Sequence, residues 1–325
     1  MTRLPVLDGW RATSILLVLC AHWFPVDWLL PGLNYTAGAA GMALFFNLSG
    51  FLILSFLLGG EPLGRFVIKR ITRIVPVAWL AVFILAAFGT YSAIDITRNL
   101  LFVANLPPAS LLKGGEHLWS LGVEMQFYAA AALICILAGR KGLYIVPLAA
   151  LAVTAARVVA GEPISIVTWH RVDEILAGGS LALLFRHGRH VLLNRLPFIL
   201  YALFFFACCH PWSGPLQYLR PYAGMLLIGS TLSSMPKLVE TLLVNRLMRY
   251  VAEVSYAVYV FHGMLVHTWL GTGSRVEMGL KRPLLVAATF AAAHLSTRYF
   301  ERPVMRFALN LYGRSPVQHP PTPAA

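Results

Sequence analysis

Apolar residues fill this chain in stretches of about 17–25, the length a helix needs to cross a ~30 Å hydrocarbon core. Short polar or basic segments separate them from one end of the sequence to the other. Ten spans are expected, over 8–30, 38–58, 74–94, 118–138, 142–160, 172–186, 196–212, 221–236, 251–271 and 284–301. The sixth is short and contains Gly178 and Gly179, a pattern that in membranes often lines a cavity rather than lipid. The predicted fold class is all-α: one polytopic integral membrane domain over 1–312, about ten transmembrane helices, then a Pro-rich tail over 313–325 expected to be disordered. No internal repeat is visible, which weighs a little against a transporter built from inverted repeats.

Polar residues inside such stretches need a reason. Arg11 and His22 lie eleven residues apart in the first span. On a helix that spacing returns the side chains to within about 20° of one face, roughly 16 Å apart along the axis. Both are expected to face a protein interior or a wet cavity. A lone membrane histidine can simply bond a neighbouring helix, but its pKa near working pH also suits it to take a proton from a hydroxyl.

In the fourth span, Ser120, Glu124 and Tyr128 recur at four-residue steps on one face. A carboxylate there needs a partner. His22, at similar depth, is the expected one; a structural bond to a Tyr or Trp is the alternative. Arg171, Asp173 and Glu174 crowd the outer end of span six, as an interfacial ion pair or as the rim of a substrate site. Asn47, Ser49 and Gly50 fall mid-span and suit close helix approach. Ser49 lacks the turn context of a nucleophile. In span nine, Tyr259 and His262 are neighbours at i, i+3, read as a helix–helix hydrogen bond at least as readily as a catalytic pair.

Composition sharpens the class. Of 325 residues, 58% are hydrophobic and 12% charged, with mean hydropathy +0.71. A soluble protein carries about twice that charge. The net charge of +13 would suit nucleic acid, but Lys and Arg cluster at the ends of alternate spans, as topology requires. With the N-terminus inside, about 18 fall on the inner face and 8 on the outer, which puts both termini in the cytoplasm. The basic run over 65–73 is expected to lie along the cytoplasmic interface before span three. It serves there as a topology determinant or as a surface for an anionic cofactor. Cys20, Cys135, Cys208 and Cys209 read as small buried hydrophobes. The first span is expected to be retained, since no small-residue cleavage site follows it. Histidine and cysteine spacings match no metal site, and no Walker or dinucleotide motif occurs.

Taken in order, these segments resemble the acyltransferase 3 family of integral-membrane acyltransferases, which modify O-antigen, exopolysaccharide and nodulation factors. The resemblance runs from Leu7 to about Phe307. Its parts are Arg11 and His22; Phe45–Ile53; Arg70, Arg73, Ile74 and Pro76; Trp119–Tyr128, with Met125 where a second Glu is common; Arg171, Asp173 and Gly178; Ser255–His262, with Val258 for Leu; and Glu301–Pro303.

The resemblance implies an acyl-CoA donor on the cytosolic side and an acceptor presented outside. Some members append an extracytoplasmic domain that completes transfer. This chain ends soon after the tenth span, so transfer is expected to finish in the membrane domain or with a separate partner. The expected activity is an inner-membrane O-acyltransferase that moves acetyl from acetyl-CoA, its co-substrate, to a sugar hydroxyl of a surface or exported glycan. His22 is the expected base, or an acyl carrier, and Glu124 its orienting catalytic partner. Arg11, Arg70 and Arg73 are expected to hold CoA phosphates. Arg171, Asp173, Ser49, Tyr128 and His262 are expected around the substrate. Expected partners are a sugar or lipid-linked glycan, membrane lipids and other glycan-biosynthesis proteins. Neither metal nor nucleic acid is expected. The rivals are a glycolipid flippase and an enzyme acting on small, macrolide-like acceptors.

Overall fold

The computed structural model describes residues 4–314; the tail beyond Arg314, expected to be disordered, lies outside them. The described chain is 81% helical without strands. In order the helices are α1 (Pro5–Trp23), α2 (Leu33–Leu58), α3 (Leu63–Phe88), α4 (Ala93–Leu100), α5 (Trp119–Ala138), α6 (Val146–Ala160), α7 (Asp173–Arg186), α8 (Phe198–Cys209), α9 (Arg220–Gly229), α10 (Lys237–Leu243), α11 (Arg246–Val266), α12 (Arg275–Ser296) and α13 (Arg302–Arg314). Each expected span overlaps one of them. Among the described residues, four helical stretches are long and apolar enough to cross a membrane: Leu33–Leu58, Leu63–Phe88, Glu116–Ala138 and Arg140–Ala160. A fifth joins them if the pair Phe198–Cys209 and Pro211–Gly229, bent by 114°, is one broken span. The others fall short because they are brief, like α7, or carry charge at their ends, like α11 and α12.

Local chemistry sets the boundaries. Pro5 opens α1, where its missing N–H is no loss, with Asp8 in the first turn. Pro25 holds Phe24 extended and stops the helix. Ser92 with Asp95, and Ser274 with Glu277, form capping boxes on α4 and α12. The basic run over 65–73 does not form a separate interfacial segment: α3 begins at Leu63 and carries it straight into the span. Its cations divide by face. Lys69 bonds Glu61 (2.5 Å), with Arg65 nearby (3.6 Å), and this hydrogen bond from Lys69 lowers the Glu61 carboxyl below its usual range. Arg70 and Arg73 turn inward.

The core is built around α2, buried along most of its length between α1, α7, α8 and α9. Its crossing with α7 depends on two glycines. A Cβ on Gly50 would lie 1.8 Å from the Ile175 carbonyl oxygen, and one on Gly178 would lie 1.9 Å from that of Asn47. The small residues of α7 therefore serve backbone contact, not the lining of a cavity. Asn47 bonds the Pro221 carbonyl (3.3 Å) and ties α2 to α9.

Candidate active site

Two of the cavities among the described residues hold the candidate site residues. The larger, about 800 Å³, lies at the C-terminal end of α1 and is lined by His22, Tyr35, His117, Trp119, Arg171 and Tyr259, among others. The smaller, about 40 Å³, is lined by Arg11, Ser49, Arg70, Arg73, Glu124 and Tyr128 as well as apolar residues. Arg11 and His22, on one face of α1, therefore open into different chambers. Phe45 of the small cavity stacks on Tyr259 of the large one (5.9 Å between centroids, 9° between planes), so the chambers meet across this aromatic pair.

His22 does not find the carboxylate expected for it. Its Nδ1 lies 2.8 Å from Nε2 of His262, with the ring planes nearly parallel (centroids 5.1 Å apart, 8° between planes). The proton positions follow by elimination. His262 Nδ1 faces the Tyr259 carbonyl at 2.6 Å. A carbonyl only accepts, so His262 donates from Nδ1 and accepts at Nε2. His22 must then donate from Nδ1, which leaves its Nε2 with a bare lone pair. The pair is braced from behind. His117 donates from Nε2 to the Val260 carbonyl (3.1 Å) and packs on His262 at 4.4 Å. The Tyr259 hydroxyl donates to the His117 carbonyl and accepts from Ser120 (2.7 Å).

Glu124 belongs to the other chamber. Its Oε1 accepts from the hydroxyls of Ser49 and Tyr128, the latter at 2.5 Å. Arg11 and Arg70 are among the charges around it. Arg70 also lies over the rings of Phe56 (5.4 Å) and Tyr128 (5.7 Å). Three guanidiniums and one carboxylate line this chamber, with Asp8 acting on Arg11 and Glu301 on Arg73 from beyond its walls; the guanidinium forks suit anionic groups.

The expected rim at span six is only partly a rim. Asp173 is wholly buried, paired with Arg157 (2.5 Å) and bonded by Thr154 (3.0 Å), and does not line the cavity. Glu174 binds Arg220 (2.7 Å) and lies 3.3 Å from Arg171. The arginines of α6 and α9 therefore neutralise the two acids of α7, a role that sequence reading missed. Arg171 alone of the Arg171–Asp173–Glu174 cluster lines the large cavity. It sits over Trp119 (5.5 Å), and its Nε and Nη1 are buried without partners. Among the described residues no cluster of His, Cys, Asp or Glu could hold a metal ion.

Relatives sharpen this chemistry. Over 359 aligned residues the chain is 25% identical to the peptidoglycan O-acetyltransferase OatA of Listeria monocytogenes, covering 93% of this chain and 56% of that protein. Over 305 residues it is 28% identical to the exopolysaccharide production protein ExoZ of Rhizobium meliloti, covering 85% and 92% respectively. The chain thus spans little more than half the length of OatA and nearly all of ExoZ. No solved structure matches it. Residues 4–297 match the acyltransferase domain that defines the acyltransferase 3 family: with nearly the whole chain matched, and with both relatives at work on or for a glycan, this protein belongs to that family of membrane acyltransferases.

Proposed function

We propose that the protein transfers an acetyl group from cytosolic acetyl-CoA to a sugar hydroxyl of an exported or cell-surface glycan. It would do so from a bacterial inner membrane that it crosses about ten times, with both termini in the cytoplasm. The observation that carries this reading is His22 on the wall of the large cavity, its Nδ1 engaged by buried His262 so that Nε2 is left to accept a proton. The names of OatA and ExoZ support a glycan acceptor.

Arg11, Arg70 and Arg73 hold the CoA phosphates at the cytosolic end. The pantetheine arm runs along α1, about 16 Å for eleven residues of helix, past Phe45 and Tyr259. The sugar enters the large cavity from the opposite side, by Arg171. His22 Nε2 takes the hydroxyl proton as the oxygen attacks the thioester carbonyl. The carbon–sulfur bond breaks, and the departing thiolate takes the proton back from His22. The imidazolium formed on the way is stabilised by the hydrogen bond from its Nδ1 to neutral His262. Glu124 holds Ser49 and Tyr128 and offsets the arginines, a positioning role on the donor side in place of the expected one beside His22.

The test uses vesicles of known orientation with acetyl-CoA on one side. Acetyl transfer to an outside acceptor should require CoA at the cytosolic face, and His22→Ala should lower it by ~10²–10⁴-fold at normal abundance. Transfer that proceeds only with CoA outside, or at wild-type rate without His22, refutes the reading. A flippase would cleave no thioester at all.

A further inference from the structure

His22 also lines a second large opening. A groove of about 920 Å³ runs between the C-terminal end of α1, the turn that follows it, and the first half of α12. Trp23, Phe24, Met278 and Val286 contribute apolar wall, and Arg275 and Arg282 contribute charge. The wall is built rather than loose. Asp27 and Asn34 exchange two hydrogen bonds (3.1 and 2.7 Å), and the Asn34 amide donates to the carbonyls of Ala21 (2.8 Å) and Phe24 (2.5 Å). Asp27, the one carboxylate among the described residues lining the groove, is engaged by this clamp. Arg282 has the opposite status: its Nη1 is buried without a partner. Beside the groove, Trp28 is 77% exposed, followed by exposed Leu29 and Leu30. Such an aromatic and apolar rim suits the boundary between headgroups and hydrocarbon.

We infer that this groove binds a phosphate-bearing membrane amphiphile: the lipid carrier of the acceptor glycan. Two guanidiniums, one with an unsatisfied donor, match a phosphate or diphosphate. The apolar wall matches the chain attached to it, and the groove is continuous with the acceptor cavity through His22, Ala21 and Asn34, which line both. The assignment rests on the reading of His22 as the base that meets the acceptor. It adds an order of events. A sugar whose phosphate lies at Arg275 and Arg282 presents the hydroxyls nearest its carrier to His22. Acylation then precedes the reaction that releases the glycan from its lipid.

The experiment measures binding, not turnover. The purified full chain, in phosphatidylcholine nanodiscs, is titrated with a long-chain polyprenyl diphosphate, with the matching polyprenol and with inorganic pyrophosphate. Polyprenyl diphosphate should bind tightest, and an Arg275→Ala/Arg282→Ala double variant should weaken it at least tenfold. The corresponding double Lys variant should recover only part of the affinity. Equal affinity in the double Ala variant overturns the proposal. So does polyprenol binding as well as its diphosphate. If pyrophosphate alone competes as strongly as the lipid, the groove reads free phosphate and the lipid assignment falls. A His22→Ala protein that still transfers acetyl refutes the catalytic reading and leaves the groove standing.

Discussion

His262 makes no contact with a donor or acceptor in the mechanism above, yet the tautomer of His22 depends on it. In His262→Ala the Nδ1–H of His22 loses its acceptor, and the imidazolium formed during transfer loses a charge-assisted hydrogen bond, 2.8 Å long in the structure. Such a bond contributes about 1.5–3 kcal/mol. At 1.36 kcal/mol per decade that is about a ten- to 150-fold fall in kcat. The donor KM should stay put, because the arginines proposed to hold the phosphates line the other chamber. His262→Gln, whose amide oxygen can accept the same bond, should recover part of the loss. The assay is thioester cleavage coupled to a chromogenic thiol reagent, with abundance matched by blotting. The decisive comparison is His22→Ala/His262→Ala, which should be no slower than His22→Ala alone, since a residue that acts through another has nothing left to act on. A double-variant loss equal to the product of the single losses refutes the relay. A raised donor KM at unchanged kcat would place His262 in donor binding instead.

Arg11→Ala should raise the KM for acetyl-CoA by roughly ten- to 100-fold, the value of one charge-assisted phosphate contact, with Arg11→Lys recovering only part. Initial rates at varied donor concentration check this, and an unchanged KM in both counts against the donor site. Asp173→Ala should destabilise the protein by about 3–5 kcal/mol, because it strands Arg157 in the core. Thermal unfolding in detergent should show that loss, and a stable protein with only a raised acceptor KM would restore Asp173 to the substrate rim. Gly178→Ala should cut membrane abundance, costing about 1–3 kcal/mol or more as α7 is forced off α2; wild-type melting would mean that the crossing yields more easily than its 1.9 Å approach implies.

The helical class and the approximate positions of the long helices are legible in the apolar stretches, because lipid leaves a spanning backbone few alternatives. Candidate site residues are legible too, as polar side chains where polar side chains are expensive. Their partners are not. His22 and His262 are 240 positions apart in the chain, and no periodicity links residues on different helices. Glu124, the nearest visible carboxylate, is the reasonable expectation for His22, and it fails because helix rotation sends Glu124 toward the arginines of α3. One pairing does leave a trace. Arg157 and Arg220 sit at the edges of apolar stretches, as Asp173 and Glu174 do, and opposite charges stranded in similar surroundings are natural partners for one another. The early start of α3 leaves less trace, since a basic run reads the same whether it lies on a membrane or continues a helix into one.

The stacked pair of Phe45 and Tyr259 has an electrical consequence. In the proposed arrangement each chamber is open to the solution on its own side, so a transmembrane voltage would fall mostly across the apolar partition between them. Moving one elementary charge across 100 mV takes about 2.3 kcal/mol. In the proposed transfer nothing charged crosses the partition: the phosphates stay with Arg11, Arg70 and Arg73, and the acetyl group that reaches His22 is neutral. The enzyme would then pass a chemical group between two compartments while remaining an insulator, indifferent to whether the cell is energised.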